Sequence, residues 1–76
     1  MTAEDLKKLV EANFANAAVE VSGEGANFTV NIVSDAFESK RPVQRQQMVY
    51  AVLNEFIASG EIHAVTMNLK TQTEAA

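Results

Sequence analysis

The spacing of the apolar residues changes period three times along this chain, and the order of those periods restricts the fold more than any other feature of the sequence. Leu6, Leu9, Val10 and Phe14 recur every three or four residues, the interval that lines one side of a helix. Thr2 precedes them as an N-cap, and Glu4 and Asp5 follow it, where free N–H groups and the positive end of the helix dipole favour acids. The spacing therefore predicts a helix over roughly residues 3 to 14. From Ala17 the interval drops to two. Val19 and Val21 alternate with polar residues, and Phe28, Val30 and Ile32 resume the alternation after Ser22-Gly23-Glu24-Gly25, so two strands joined by a glycine turn form a hairpin.

Ser34 to Ser39 fit neither period and read as a loop with one short turn. Pro42 suits the first turn of a second helix, where a missing N–H costs nothing. Val49, Val52, Leu53, Phe56 and Ile57 form its apolar stripe, and Gly60 is its stop. After a tight turn Val65, Met67 and Leu69 make a third alternating strand, and residues 1–2 and about 71–76 are expected to fray. The order helix, strand, strand, helix, strand is an α+β arrangement in one domain over residues 1–76. A right-handed crossover through the second helix would set strands two and three parallel, with both helices on one face of a three-stranded mixed sheet.

Composition removes several function classes. A chain of 76 residues buries only about 60% of its unfolded surface, which leaves little room for an enclosed catalytic cavity. No nucleophile has a suitably spaced base: Ser22, Ser34 and Ser39 stand alone, and the GxG of Ser22–Ala26 joins two strands rather than leading a strand into a helix. The chain reads as non-enzymatic. It has no cysteine, so a metal or iron–sulfur site must use nitrogen or oxygen ligands or a partner's sulfur. No run of about 20 apolar residues suggests a membrane span, and the charged N-terminus "MTAEDLKKLVEANF" does not resemble a secretory signal, so a cytoplasmic location is expected.

Two places carry candidate chemistry. Lys40, Arg41 and Arg45 crowd the start of the second helix in a chain of net charge -4, where the dipole disfavours cations. Stepping about 100° per residue from Val49 puts Arg45 near -40°, in line with the core stripe, so its guanidinium must emerge at the end of the sheet or meet an anion. Such a cluster suits a phosphate or carboxylate; equally, it is a set of solvated charges with Arg45 paired to Asp35 or Glu38. His63, the one histidine, shares parity with Val65, Met67 and Leu69 at the mouth of the third strand. By spacing alone it is a structural histidine, because no second histidine or cysteine accompanies it for an independent metal site. Tyr50 and the phenylalanines read as core or helix-flank packing.

Three segments, "VEVSGEGANFTVNIVSDAFESK", "PVQRQQMVYAVLNEF" and "GEIHAVTMNLKT", together resemble the BolA family, and within it the short bacterial branch of acid-stress-associated BolA-like proteins. The resemblance spans nearly the whole chain. It implies a class II KH-like fold and partnership with a monothiol glutaredoxin, with a [2Fe-2S] cluster bridged between the glutaredoxin cysteine, glutathione and the BolA-like protein. The family's final-strand histidine ligand corresponds to His63, and the interaction surface to Lys40, Arg41 and Arg45. Three positions depart from the pattern. Ser39 replaces a common glycine, which puts a glycine-dependent loop conformation in question. Asn27 stands where relatives often carry a second ligand, His or Cys, and the tail lacks the usual proline and aromatic residues. The resemblance also implies a second role, a DNA-binding regulator acting through residues 40–45; dimerisation of the free chain is left open.

Overall fold

A computed structural model of the chain describes residues 1–14 and 16–76. Its elements run α1 (Ala3–Asn13), β1 (Ala18–Glu24), β2 (Asn27–Val33), a 3-10 turn (Asp35–Phe37), α2 (Pro42–Ala58), β3 (Ala64–Lys70) and a short α3 (Gln72–Ala75). The sheet order is β1-β2-β3; β1 pairs antiparallel with β2, and β2 pairs parallel with β3. This is the mixed sheet that the crossover argument requires.

Register explains the core. Val19, Ile32 and Leu69 form one row across the three strands, and Val21, Val30 and Met67 form the next. These rows face the helices, because Val19, Val30 and Ile32 join Leu6 and Val10 of α1 and Val49 and Leu53 of α2 in one buried cluster. Each such side chain contributes about 1.5–3 kcal/mol by leaving water. The alternate rows, Ser22-Thr29-Thr66 and Glu20-Asn31-Asn68, lie on the other face. Gly23 completes a third inward row with Phe28 and Val65, and only glycine fits it. A Cβ there would stand 2.1 Å from the Asn27 carbonyl oxygen, and its φ is 143°.

Local signals hold at the helix ends. Thr2 Oγ1 accepts the Asp5 N–H and the Asp5 carboxylate accepts the Thr2 N–H, both at 3.1 Å, a complete capping box. Gly60 follows the C-cap Ser59 with φ 85°, the left-handed residue that ends a helix. The chain then turns so that the Ile62 N–H donates to Phe56 O at 3.0 Å, and Ile62 is buried to 1% exposure. Sequence reading gave this turn no apolar anchor. Phe37, in the loop after β2, is likewise fully buried, with its ring 5.6 Å from that of Phe14. Tyr50 departs from the packing expected of it: it is 38% exposed on the outer side of α2.

The expected frayed termini are both ordered. Met1 packs against the core beside the capped Thr2. At the other end Thr71 is buried and caps α3: its Oγ1 accepts the Glu74 N–H at 3.2 Å, while Glu74 Oε1 accepts the Thr71 N–H at 2.8 Å. The sequence pattern Thr-x-x-Glu at 71–74 carries that capping box, so the signal was present.

Candidate functional site

The topology sends the two groups of candidate residues to opposite ends of the sheet. β2 and β3 run the same way, and both begin at one end, where His63 and Asn27 stand. They finish at the other, where Phe37 to Arg41 lead into α2, and α2 carries the chain back along its 17 residues, about 25 Å. Ala64 to Lys70 is six steps of about 3.3 Å, so the histidine end and the basic end lie roughly 20 Å apart.

At the first end the backbone is fixed and one side chain is free. The Ala26 carbonyl, in the turn of the β1–β2 hairpin, accepts N–H bonds from both His63 (2.7 Å) and Ala64 (3.2 Å). That double bond to one carbonyl ties the mouth of β3 to the hairpin and puts Asn27 opposite Ala64, one residue from His63. His63 and Asn27 are both exposed, and neither side chain makes a hydrogen bond or ion pair among the described residues. The imidazole nitrogens are thus unengaged among the described residues, and imidazole is a common ligand of metals. The donor set has one imidazole and no thiolate, and among the described residues no group of three or more His, Cys, Asp or Glu side chains could hold a metal ion. His63 fits as one ligand of a cluster whose remaining ligands come from a partner. Asn27, a neutral amide, does not fit as a second iron ligand.

At the second end the cations divide. Arg45 is 12% exposed along its side chain and makes four hydrogen bonds to three groups: Nε donates to Lys40 O (2.9 Å), Nη1 to Leu69 O (3.1 Å), and the two Nη atoms donate to both carboxylate oxygens of Glu74 (2.6 and 3.2 Å). Its Cζ lies 6.0 Å from the centre of the Phe37 ring, at the outer limit of a cation–π contact. The anion that Arg45 required is therefore Glu74 from the tail, not Asp35 or Glu38 from the preceding loop. The guanidinium hydrogen bond, with the Thr71 N–H behind it, holds the Glu74 carboxyl down to about 2, and the same hydrogen bond raises the Arg45 pKa. Arg45 closes the structure; it does not project from it.

Lys40 and Arg41 remain exposed. The amide-rich helix start beside them has a capping role: the Gln44 side-chain oxygen accepts the Arg41 N–H at 2.9 Å and ties down an end that no Ser, Thr, Asp or Asn caps. Ser39 has φ 62°, so the loop keeps the left-handed turn that a glycine would adopt, at the conformational cost of a side chain. The doubt attached to that substitution concerns strain and not shape.

Comparison with known proteins agrees with this fold. Residues 8–74 match the family model described as BolA-like protein. An uncharacterized protein from the rpoN-murA intergenic region of Acinetobacter guillouiae is 51% identical over 74 residues, covering 97% of this chain and 89% of that protein. Acid stress protein IbaG of Escherichia coli K12 is 43% identical over 58 residues, covering 76% of this chain and 69% of its own. The structure of a bolA protein homologue from Coxiella burnetii superposes with a TM-score of 0.86 at 26% identity, covering 99% of this chain and 96% of that one.

Proposed function

This chain belongs to the BolA-like family, and from that premise we propose that it is a non-catalytic binding module of iron–sulfur and redox homeostasis that partners a monothiol glutaredoxin. His63 supplies its ligand to a shared [2Fe-2S] cluster, and glutathione and the partner's thiolate supply the sulfur. The observation that carries this reading is the state of His63: an exposed imidazole without a hydrogen-bond or ion-pair partner among the described residues, on a backbone pinned by the Ala26 carbonyl. Such a group is positioned without being consumed, as a ligand to an outside centre must be. The relative named as an acid stress protein supports a place in a stress response. Because Asn27 is a poor iron ligand, the chain contributes a single strong donor, and the partner sets the cluster's stability.

The separation of the two ends changes the expected docking surface. A partner that reaches His63 meets the hairpin turn and the C-terminal end of α2 first, and touches Lys40 and Arg41 only by running along the full length of the molecule. The alternative role as a DNA-binding regulator has less to draw on, since Arg45 is committed to Glu74 and leaves Lys40 and Arg41 as the exposed cations of the helix start.

Anaerobic size-exclusion chromatography with a monothiol glutaredoxin, glutathione and reconstituted cluster tests the proposal. A coloured, iron-containing heterodimer whose visible circular dichroism changes with His63→Ala is expected. A spectrum that ignores this substitution counts against His63, and absence of any complex removes the reading.

A further inference from the structure

β3, at the edge of the sheet, leaves its outer side open along the strand. The Lys70 carbonyl accepts the Ser34 N–H (2.9 Å) and the Ala64 N–H donates to Ala26 (3.2 Å), so even-numbered residues of β3 direct their backbone groups toward β2. Val65, Met67 and Leu69 therefore direct theirs outward, and the Arg45 bond to Leu69 O is the hydrogen bond that these outward backbone groups receive among the described residues. Edge strands are ordinarily guarded by a charge, a proline or a bulge, yet Ala64–Leu69 contains neither charge nor proline and pairs with β2 without interruption.

Beside this edge runs a groove of about 240 Å³ between Pro42, Arg45 and Gln46 on α2 and Met67, Leu69 and Lys70 on β3. Its charge contrasts with the rest of the molecule. Lys40, Arg41, Arg45 and Lys70 gather at this end with Asp35, Glu38 and Glu74, four cations against three acids, whereas the rest of the chain holds two cations and seven acids. Of these four, only Arg45 has a carboxylate within ion-pair distance among the described residues. The groove lining contains no aromatic ring on which a base could stack, whereas Met67 and Leu69 offer an aliphatic wall.

We propose that this groove is a strand-addition site for an extended acidic segment of a partner protein, one in which aliphatic residues alternate with glutamate or aspartate. Backbone groups of the added strand pair with Val65, Met67 and Leu69. Its aliphatic side chains enter the groove under α2, on the face where Met67 and Leu69 lie. Its carboxylates fall on the opposite face of the sheet beside Lys70, and its end meets Lys40 and Arg41. Glu74, seated on Arg45 at the head of the groove, already illustrates in cis the chemistry that the site accepts. The proposal does not depend on the cluster reading, although the added strand would begin beside Val65, two residues from His63.

Isotope-labelled protein titrated with a synthetic decapeptide of alternating valine and glutamate tests it by NMR. The amides of Val65, Met67 and Leu69 are expected to shift together, and their hydrogen exchange to slow at least tenfold at saturation. Lys40→Glu with Arg41→Glu, both at exposed positions, should weaken binding about tenfold through two rim charges. Met67→Pro, which removes an outward N–H, should abolish it, and the charge-reversal pair decides the matter if that variant does not fold. Shifts elsewhere on the surface, equal binding of the valine–lysine decapeptide, or binding of an oligothymidylate in place of the acidic peptide would each overturn the proposal.

Discussion

The two ends of the sheet treat their ionisable side chains in opposite ways. At the start of β3 the fold fixes the backbone of His63 and leaves the imidazole without a hydrogen-bond or ion-pair partner among the described residues. At the end of β3 it engages Arg45 with two backbone carbonyls and a carboxylate from 29 residues away. By spacing and charge alone, before the family resemblance is considered, Arg45 looks more functional than His63, since it is a cation at a helix start where the dipole disfavours it. The contacts reverse that ranking: a polar group satisfied within its own chain is structural, and one positioned but unsatisfied is available. Lys40 and Arg41, neighbours of Arg45, fall on the available side.

The largest test of this contrast is Phe37→Ala. Phe37 is fully buried beneath Arg45 and against Phe14, so its truncation should cost about 3–5 kcal/mol in urea unfolding and loosen the Arg45 end selectively. Hydrogen exchange would then rise more at Leu69 and Thr71 than at Ala64; uniform loosening would show that the two ends are not independent.

The next test is the pH dependence of the tail contact. The Glu74 pKa is lowered to about 2 from 4.5, so the folded state binds fewer protons there than the unfolded chain. The contribution is fully present above about pH 4.5 and is lost as pH falls toward about 2. Urea midpoints of wild type and Glu74→Gln should therefore differ at neutral pH and converge in that window. Added salt should shrink the difference, since the Glu74 side chain is 48% exposed. Equal midpoints at every pH would mean that the ion pair does not hold the tail.

Ser39→Gly relieves a left-handed residue and should stabilise the protein by up to about 1 kcal/mol, less the extra freedom gained by the unfolded chain. The smallest effect belongs to His63→Ala, which should change stability by no more than about 0.5 kcal/mol because the exposed imidazole makes no hydrogen bond or ion pair among the described residues. A large loss would reclassify His63 as structural and bring the two ends into line.

Much of the fold was legible because it rests on local periodicity. Val19, Val30 and Ile32 specify β-strand faces by alternation, Val49 and Leu53 a helix stripe, and Thr2 a helix start, and all hold in the structure. What escaped notice lacked a periodic setting. Ile62 sits alone in a turn, and the box at Thr71–Glu74 is a short capping signal in a tail otherwise suited to fraying. Ser39 departs from the expected residue type while preserving the backbone conformation, a distinction that residue identity cannot express.

By itself the sequence determined the order of elements, the parallel pairing of β2 and β3, the inward rows, and the candidate residues His63, Lys40, Arg41 and Arg45. These follow from rules acting over a few residues: helical and strand periods, capping, and the handedness of a crossover. Only the tertiary structure decided that His63 is free, that Arg45 is occupied by Glu74, and that about 20 Å of strand separates them. Availability of a side chain depends on which distant groups reach it, and residues far apart in the chain become neighbours only when the sheet is assembled.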